Sequence, residues 1–289
     1  MSELAISIVT PSLHQAAFLP EALHSVLDQQ HSAYEHLVLD GASHDGTVNL
    51  LQSFHQQTHG HRFTWRSHPD AGQSAALNEG FAQAKGDIVG WLNADDRYRL
   101  DCFEHVARAF ARHPEVDILY GDYTLIDRHS RHLSLRREIE FNRFILRYFR
   151  VLYIPTTATF FRRRIFDEGH FLREDLHYAM DLEFFLRLAD AGFRFQHLPK
   201  VLADFRVHPA AKSTRFLDRQ RSEHRSVVLQ STPLAQIINS LPLRNAAVTF
   251  LQAPAALLRY TEKLLRGYYF HERSFSLFLE EQIRGAEAL

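Results

Sequence analysis

One cysteine in 289 residues removes two explanations at once. Cys102 has no partner for an intrachain disulfide, and no cysteine cluster is available to hold a metal, which suits a reducing compartment. Stability is therefore expected from a hydrophobic core, and 45% hydrophobic residues on a chain of this length suffice for one. Long apolar runs are also missing. The run Ile6 to Val9 is too short for a secretory signal and meets turn residues at once, while Ala246 to Leu258 is interrupted by Thr249, Gln252 and Pro254. The chain reads as cytoplasmic, with no membrane-spanning helix. Charge of one sign is lacking as well: 33 basic residues against 34 acidic ones exclude a general nucleic-acid footprint, so any anion must be recognised locally. There is no internal repeat, no low-complexity tract, and no glycine in the first loop, Thr10 to Gln15.

What is there is alternation. Strand-like runs at Ala5–Thr10, His36–Leu39, Phe63–Arg66, Asp87–Leu92 and Asp117–Tyr120 are separated by helical periodicity at Pro20–Gln30, Thr47–Gln57 and Gly72–Ala84. This β-α order predicts an α/β fold with a doubly wound, mainly parallel sheet flanked by helices. Beyond about residue 130 the pattern weakens into a basic, aromatic stretch. Strands are expected at Ala158–Phe161, Phe195–Pro199 and Val201–Val207, and a helix from Met180 to Ala191. From Phe216 the pattern is helical, with Pro233, Pro242 and Pro254 as expected breaks.

In such a sheet, ligands bind where strands end and loops begin. Three polar clusters fall there: Thr10-Pro11-Ser12, Asp40-Gly41, and Asn93-Ala94-Asp95-Asp96. Adjacent carboxylates suit a hard divalent cation that bridges protein to diphosphate, although a solvated turn or the cap of a helix near Leu100 explains them equally simply. Asp45 reads as a helix cap and Gly41 as a tight turn, whereas Asp40 stands at the strand end, able to accept from a base imide or a ribose hydroxyl. His208 can complete a metal shell or meet a diphosphate oxygen, against the background of 19 histidines. Lys212 and Arg206 lie in the same loop and either neutralise a leaving diphosphate or form a solvated basic turn.

The ordered set Val9-Thr10-Pro11-Ser12, Asp40-Gly41-x-Ser43-x-Asp45-Gly46-Thr47, Pro69-Asp70-x-Gly72-Gln73-Ser74-x-Ala76-Leu77-Asn78-x-Gly80 and Trp91-Leu92-Asn93-x-Asp95-Asp96 resembles the family 2 glycosyltransferases. Met180-Asp181-Leu182-Glu183-x-x-Leu186-Arg187 and Phe205-Arg206-x-His208 extend the likeness to about residues 5 to 215. The resemblance implies a GT-A fold, usually a UDP-sugar donor, a divalent cation (Mg²⁺ or Mn²⁺) and inverting transfer to an acceptor hydroxyl. By matched position Thr10, Pro11 and Asp40 would touch the nucleoside, with Ser12, Asn78, Asn93 and Asp95 completing the nucleotide set. Asp95 and Asp96, with His208, would serve the metal, and Asp181 would be the base. Leu13-His14 stands where many relatives carry Tyr-Asn, and Ala76-Leu77-Asn78 where others carry Ala-Arg-Asn. The Gln73-Ser74 version resembles enzymes of bacterial surface-polysaccharide assembly.

The resemblance divides the chain into a GT-A domain, 1–215, with a nucleotide half to residue 100 and an acceptor half beyond it, and a helical extension, 216–289. Asp181 otherwise reads as an acid that complements a helix dipole, with Glu183 as its nearest rival for the base. Alternatives to a transferase are a non-catalytic nucleotide-sugar module, which would need no Asp181, and a sugar nucleotidyltransferase, which normally opens with a glycine-rich loop. A nicotinamide enzyme is excluded by the missing Gly-x-Gly-x-x-Gly. The expected partners are a nucleotide-sugar donor and a saccharide or lipid-linked acceptor. For the apolar face between Leu257 and Phe270, three readings stay open: peripheral contact with the inner face of the cell membrane, packing on its own domain, or a homodimer.

Overall fold

The computed structural model describes residues 3–271, except 59, 61 and 213–215. Its first third is the expected alternation: β1 (Ile6–Ser12), α1 (Leu19–Leu27), β2 (Tyr34–Asp40), α2 (Thr47–Gln57), β3 (Phe63–Ser67), α3 (Gln73–Gln83) and β4 (Ile88–Trp91). These four strands pair in parallel, in the order β3-β2-β1-β4. Every residue of β1 is buried, because helices cover both faces of the sheet. On one face α3 lies so close to β1 that a Cβ on Gly80 would run into the side chains of Val9 and Leu39, which only glycine avoids.

Past β4 the sheet changes character. β5 (Arg97–Tyr98), α4 (Cys102–Arg112), β6 (Ile118–Ile126), β7 (His132–Arg136), α5 (Arg143–Tyr148), β8 (Thr159–Arg162), α6 (Arg164–Asp167), α7 (Met180–Asp190) and β9 (Phe195–Arg206) complete a nine-stranded sheet. Its order is β3-β2-β1-β4-β8-β6-β9-β5, with β7 on the outer part of β6. β8 runs antiparallel to both β4 and β6, and β5 antiparallel to β9, so parallel pairing is confined to the first four strands and the β6–β9 pair. The two strand runs expected at 195–199 and 201–207 are one strand. Its register slips where Leu198 pairs with Gly121 and Val201 with Asp122, because Pro199 has no N–H for the ladder.

Of three core clusters that the described residues form against the sheet, the two largest join its later helices to it. Leu77 and Phe81 of α3 pack with Leu182, Phe184 and Phe185 of α7 in one, and Val26 of α1 with Phe103, Val106 and Phe110 of α4 in the other. Among the described residues three further α-helices follow: α8 (Leu217–Ser231), α9 (Leu234–Ile237) and α10 (Leu241–Leu265). Pro233 and Pro242 mark helix starts, where a missing N–H costs nothing, but the break expected at Pro254 is absent: this proline lies inside α10. Val227, Val228, Leu229, Val248 and Ala255 join the same cluster as α7, so the described part of the extension shares the core of the domain. Residues 272–289 of the expected extension lie outside the described residues.

Candidate active site

The register of β1 on β2 brings Ser12 beside Asp40 at the sheet edge. Thr10 points into the sheet, where its hydroxyl lies 2.9 Å from His36 Nε2. Burial pulls the His36 imidazole down to about 3, which keeps it neutral. Pro11 is buried in the same strand. The Ser12 hydroxyl is buried without a hydrogen-bond partner, and an unmet polar atom at this edge marks a place where a ligand atom is wanted.

Asp40 is fully buried and largely satisfied. Its Oδ2 accepts from Ser43 N (2.9 Å) and Ser67 Oγ (2.7 Å), and its Oδ1 from Ser43 Oγ (2.6 Å). An ionised carboxylate has about four acceptor positions, so one remains for a ligand, and the main work of Asp40 is to shape its own loop. Ser43 in turn accepts from His14 N at 2.7 Å, and Asp45 from Ala16 N at 3.0 Å, which stitches the loop after β1 to the loop after β2. Exposed Leu13 lies against Gly41, leaving an apolar surface at this corner. Asn78 departs from its expected place. Its amide donates to Leu172 O (3.0 Å) and accepts from Leu172 N (2.9 Å), so it ties α3 to the segment between α6 and α7.

The turn after β4 separates its two acids. Asp95 stays partly exposed, with Oδ2 at 3.1 Å from His208 Nε2, and the His208 ring packs on Phe18 at 4.6 Å. Asp96 turns inward: Oδ1 accepts from Arg206 N (2.8 Å) and Oδ2 from Asn93 Nδ2 (3.2 Å). Burial, reinforced by the Asp95 charge, pushes Asp96 well above the usual carboxylate range. Asp96 therefore anchors the turn, and it does not share a ligand set with Asp95 and His208. Arg206 also departs from expectation. Its guanidinium is buried and donates to Asp95 O (2.8 Å), Asp127 O (3.1 Å), Ser130 Oγ (2.8 Å) and Glu21 Oε2 (2.9 Å), which leaves it no role on a diphosphate. Asn93 Oδ1 accepts from Trp91 Nε1 (2.9 Å) and Gln73 Nε2 (3.1 Å), and Gln73 Oε1 accepts from Lys212 Nζ (3.3 Å). Lys212 sits 5.5 Å over the Tyr178 ring.

That chain of contacts leads to the start of α7. Asp181 is partly buried, and its side chain bonds locally, Oδ1 accepting from Leu182 N at 2.8 Å. Burial is the largest influence on it and pushes its carboxyl up to about 6, opposed by its own and the Leu182 backbone N–H and by the positive charge of Lys212. Leu182, Phe184, Phe185 and Leu186 fix the helix in the core. The segment before it is clamped by Glu223 on α8, whose carboxylate accepts from His177 N (2.9 Å), Tyr178 N and Ala179 N (2.6 Å). Glu183 pairs with Arg187 (2.9 Å) on the next turn. Nothing in the charged run of α8 singles out Glu223, and Glu21, which meets Arg206 across 185 residues, carries no sequence signal either.

Residues 7–169 match the family model for glycosyl transferase family 2. The chain belongs to this family. It is 32% identical over 215 residues to the O-antigen biosynthesis protein RfbC of Myxococcus xanthus, covering 73% of this chain and 16% of that protein. To the putative teichuronic acid biosynthesis glycosyltransferase TuaG of Bacillus subtilis it is 30% identical over 99 residues, 34% of this chain and 39% of the relative. The chain thus spans less than half the length of these curated relatives. Its fold is GT-A, shared with Staphylococcus aureus TarS 1–349 in complex with UDP-GlcNAc (TM-score 0.64, 16% identity, 88% of this chain and 72% of that one). The same fold occurs in the mannosyltransferase PcManGT of Pyrobaculum calidifontis in complex with GDP-Man and Mn²⁺ (TM-score 0.59, 18% identity, 100% of this chain and 81% of that one).

Among the described residues, no three His, Cys, Asp or Glu side chains converge as a metal site. One carboxylate and one imidazole, Asp95 and His208, do fit a cation that takes its remaining ligands from a diphosphate and water, as Mg²⁺ commonly does. No helix among the described residues is long and apolar enough to cross a membrane.

Proposed function

We propose that the chain transfers a sugar from a nucleoside-diphosphate sugar, a UDP-sugar first among candidates, to an acceptor hydroxyl with inversion, in the assembly of a surface polysaccharide or glycolipid. The observation that carries this reading is one connected set of residues along the sheet edge. It starts at the Asp95–His208 pair, passes along the backbone to Asp96, and continues by side-chain bonds through Asn93, Gln73 and Lys212, whose charge reaches Asp181. In family 2 the first of these regions is the diphosphate end, and the raised carboxyl of Asp181 suits a base that works near neutral pH.

In the reaction so assigned, the acceptor oxygen forms its bond to the anomeric carbon while its proton passes to Asp181. The bond to the diphosphate oxygen breaks, and its electron pair leaves with the diphosphate. Lys212 offsets charge between the two ends. Ser12 and the last acceptor position of Asp40 are offered to the nucleoside, beside the apolar surface of Leu13. A divalent cation held by Asp95 and His208 would supply neutralisation of the diphosphate charge. The RfbC and TuaG names support a polysaccharide product, and the buried lone Cys102 accords with a cytoplasmic site of action. A panel of nucleotide sugars with Mn²⁺, read as release of nucleoside diphosphate, tests the reading. Release from a UDP-sugar is expected; binding without release from any donor would favour the non-catalytic module instead.

A further inference from the structure

The outer face of α10 carries apolar or aromatic residues in alternating steps of three and four: Leu243, Ala246, Phe250, Ala253, Leu257, Tyr260 and Leu264. All seven are exposed. Leu243 is 63%, Phe250 78%, Leu257 68% and Leu264 54% exposed, far beyond what single surface leucines require. The opposite face is the one that holds the helix to the domain, through Val248 and Ala255 in the core. Steps of three and four repeat every seven residues, which is the narrow seam of a helix that pairs with another helix. Over 21 residues at about 1.5 Å each, the strip is about 32 Å long.

From this strip we infer that α10 is a self-association surface, on which a second copy of this chain docks its own α10 across a two-fold axis.

Charge decides between occupants. A helix that lies on an anionic lipid surface needs free Lys and Arg beside its apolar face. Here the cations of α10 are engaged by the protein itself: Arg244 donates to Ile238 O (2.8 Å), Arg259 (2.6 Å) and Lys263 (3.8 Å) reach the buried Glu138, and Arg266, just past the helix end, pairs with Glu262 (2.9 Å) and Glu140 (3.6 Å). Flanking the strip are Ala247, Thr249, Pro254, Ala256 and Thr261, none of them charged, and Lys263, whose charge is turned to the buried Glu138. An uncharged strip is complementary to another uncharged strip, and an isologous pair needs only one such surface. An antiparallel pairing also matches sizes, since it can set Ala246 against Leu264, Ala253 against Leu257 and Phe250 against Tyr260 of the second copy. Leu258 and Leu265, also exposed, widen the contact at one end.

Sedimentation velocity on the full chain tests this. A dimer is expected for the wild type, and Phe250→Glu with Leu257→Glu should yield a monomer that still binds UDP and melts as the wild type does. Should the double variant fail to fold, Ala253→Cys with Leu257→Cys gives the second test, since the native Cys102 is buried and mild oxidation should cross-link two chains through α10. A wild type that stays monomeric at every concentration overturns the inference. Two results would then name the true occupant: pelleting with phosphatidylglycerol vesicles, lost in Phe250→Glu, identifies a lipid surface, and dimerisation only after Phe278→Glu identifies the chain's own C-terminal segment.

Discussion

The turn after β4 and the opening of α7 stand at two ends of one edge, and they are built in opposite ways. In the turn nearly every polar group already has a protein partner. Asn93 makes three side-chain hydrogen bonds, Asp96 two, and Arg206 closes the turn from behind with bonds to Glu21, Ser130 and backbone carbonyls. The Asp95–His208 pair faces outward, so the proposed binding of a charged diphosphate there would cost little reorganisation. At α7 the rigidity is in the backbone, through the core-facing phenylalanines and the Glu223 clamp, while the Asp181 side chain is left with one local bond. A saturated carboxylate makes a fixed strut, and an unsaturated one held half in the protein stays available to a proton.

Breaking the α7 side of this contrast gives the largest effect. Asp181→Asn keeps shape but cannot take a proton, so sugar transfer should fall by about 10²–10⁴ while UDP affinity stays at the wild-type level. Steady-state rates beside UDP titrations check it, and a variant that keeps more than roughly a tenth of the wild-type rate would move the base elsewhere, to Glu183 first. The wild-type rate itself should rise with pH through about 6 and level off above, because the carboxyl must be ionised to act.

Breaking the turn should instead cost stability. Arg206→Met strands the buried carbonyls of Asp95 and Asp127, while Glu21 keeps Arg97 and Ser130, a loss of about 3 kcal/mol in urea unfolding. Asp40→Ala, which orphans Ser43 and Ser67, should cost about 2 kcal/mol by the same measure. Nucleotide binding should weaken with it, as the loop that carries Ser12 and Gly41 loses its support. An Asp40 variant as stable as the wild type would return Asp40 to a purely ligand-facing role.

The smallest effect sharpens the contrast most. Asp181 titrates higher folded than unfolded, so its protonated form favours the folded state, and that contribution is lost as pH rises through about 6. Asp181→Asn should therefore be more stable than the wild type at pH 7.5, by about 1 kcal/mol after solvent screening, and the difference should shrink toward pH 4. Melting temperatures at the two values decide it. A base placed for chemistry at the expense of stability gives this pattern, and an acid that serves the helix dipole gives its reverse.

The parallel half was legible in the sequence because period-two and helical patterns alternate cleanly there; α2 begins and ends at Thr47 and Gln57 as the pattern predicts. Past β4 antiparallel pairings mix with the one parallel pair β6–β9, the two-residue β5 is too short to read, and β7 falls where the alternation weakens. The motif positions Asp40, Asn93, Asp95, Asp96, Asp181 and His208 were all readable as polar residues after a strand or at a helix start. Which way each side chain turns was not. Adjacent Asp95 and Asp96 look alike in sequence, and only the arrival of β9 with Arg206 draws Asp96 inward. Asn78 was lost to Leu172 for the same reason, a contact across 94 residues. Glu223, from α8, is a third such long-range partner.

On the proposed function, the turn binds a nucleoside diphosphate with a cation while α7 serves only the transfer step. Calorimetric titration of UDP into the wild type, Asp95→Ala and Asp181→Asn, each with Mn²⁺ and with chelator, tests it most directly. Tight binding is expected for the wild type and Asp181→Asn with Mn²⁺, and weak binding for Asp95→Ala or after chelation. Equal UDP affinity in all conditions, or loss of binding in Asp181→Asn alone, would contradict it.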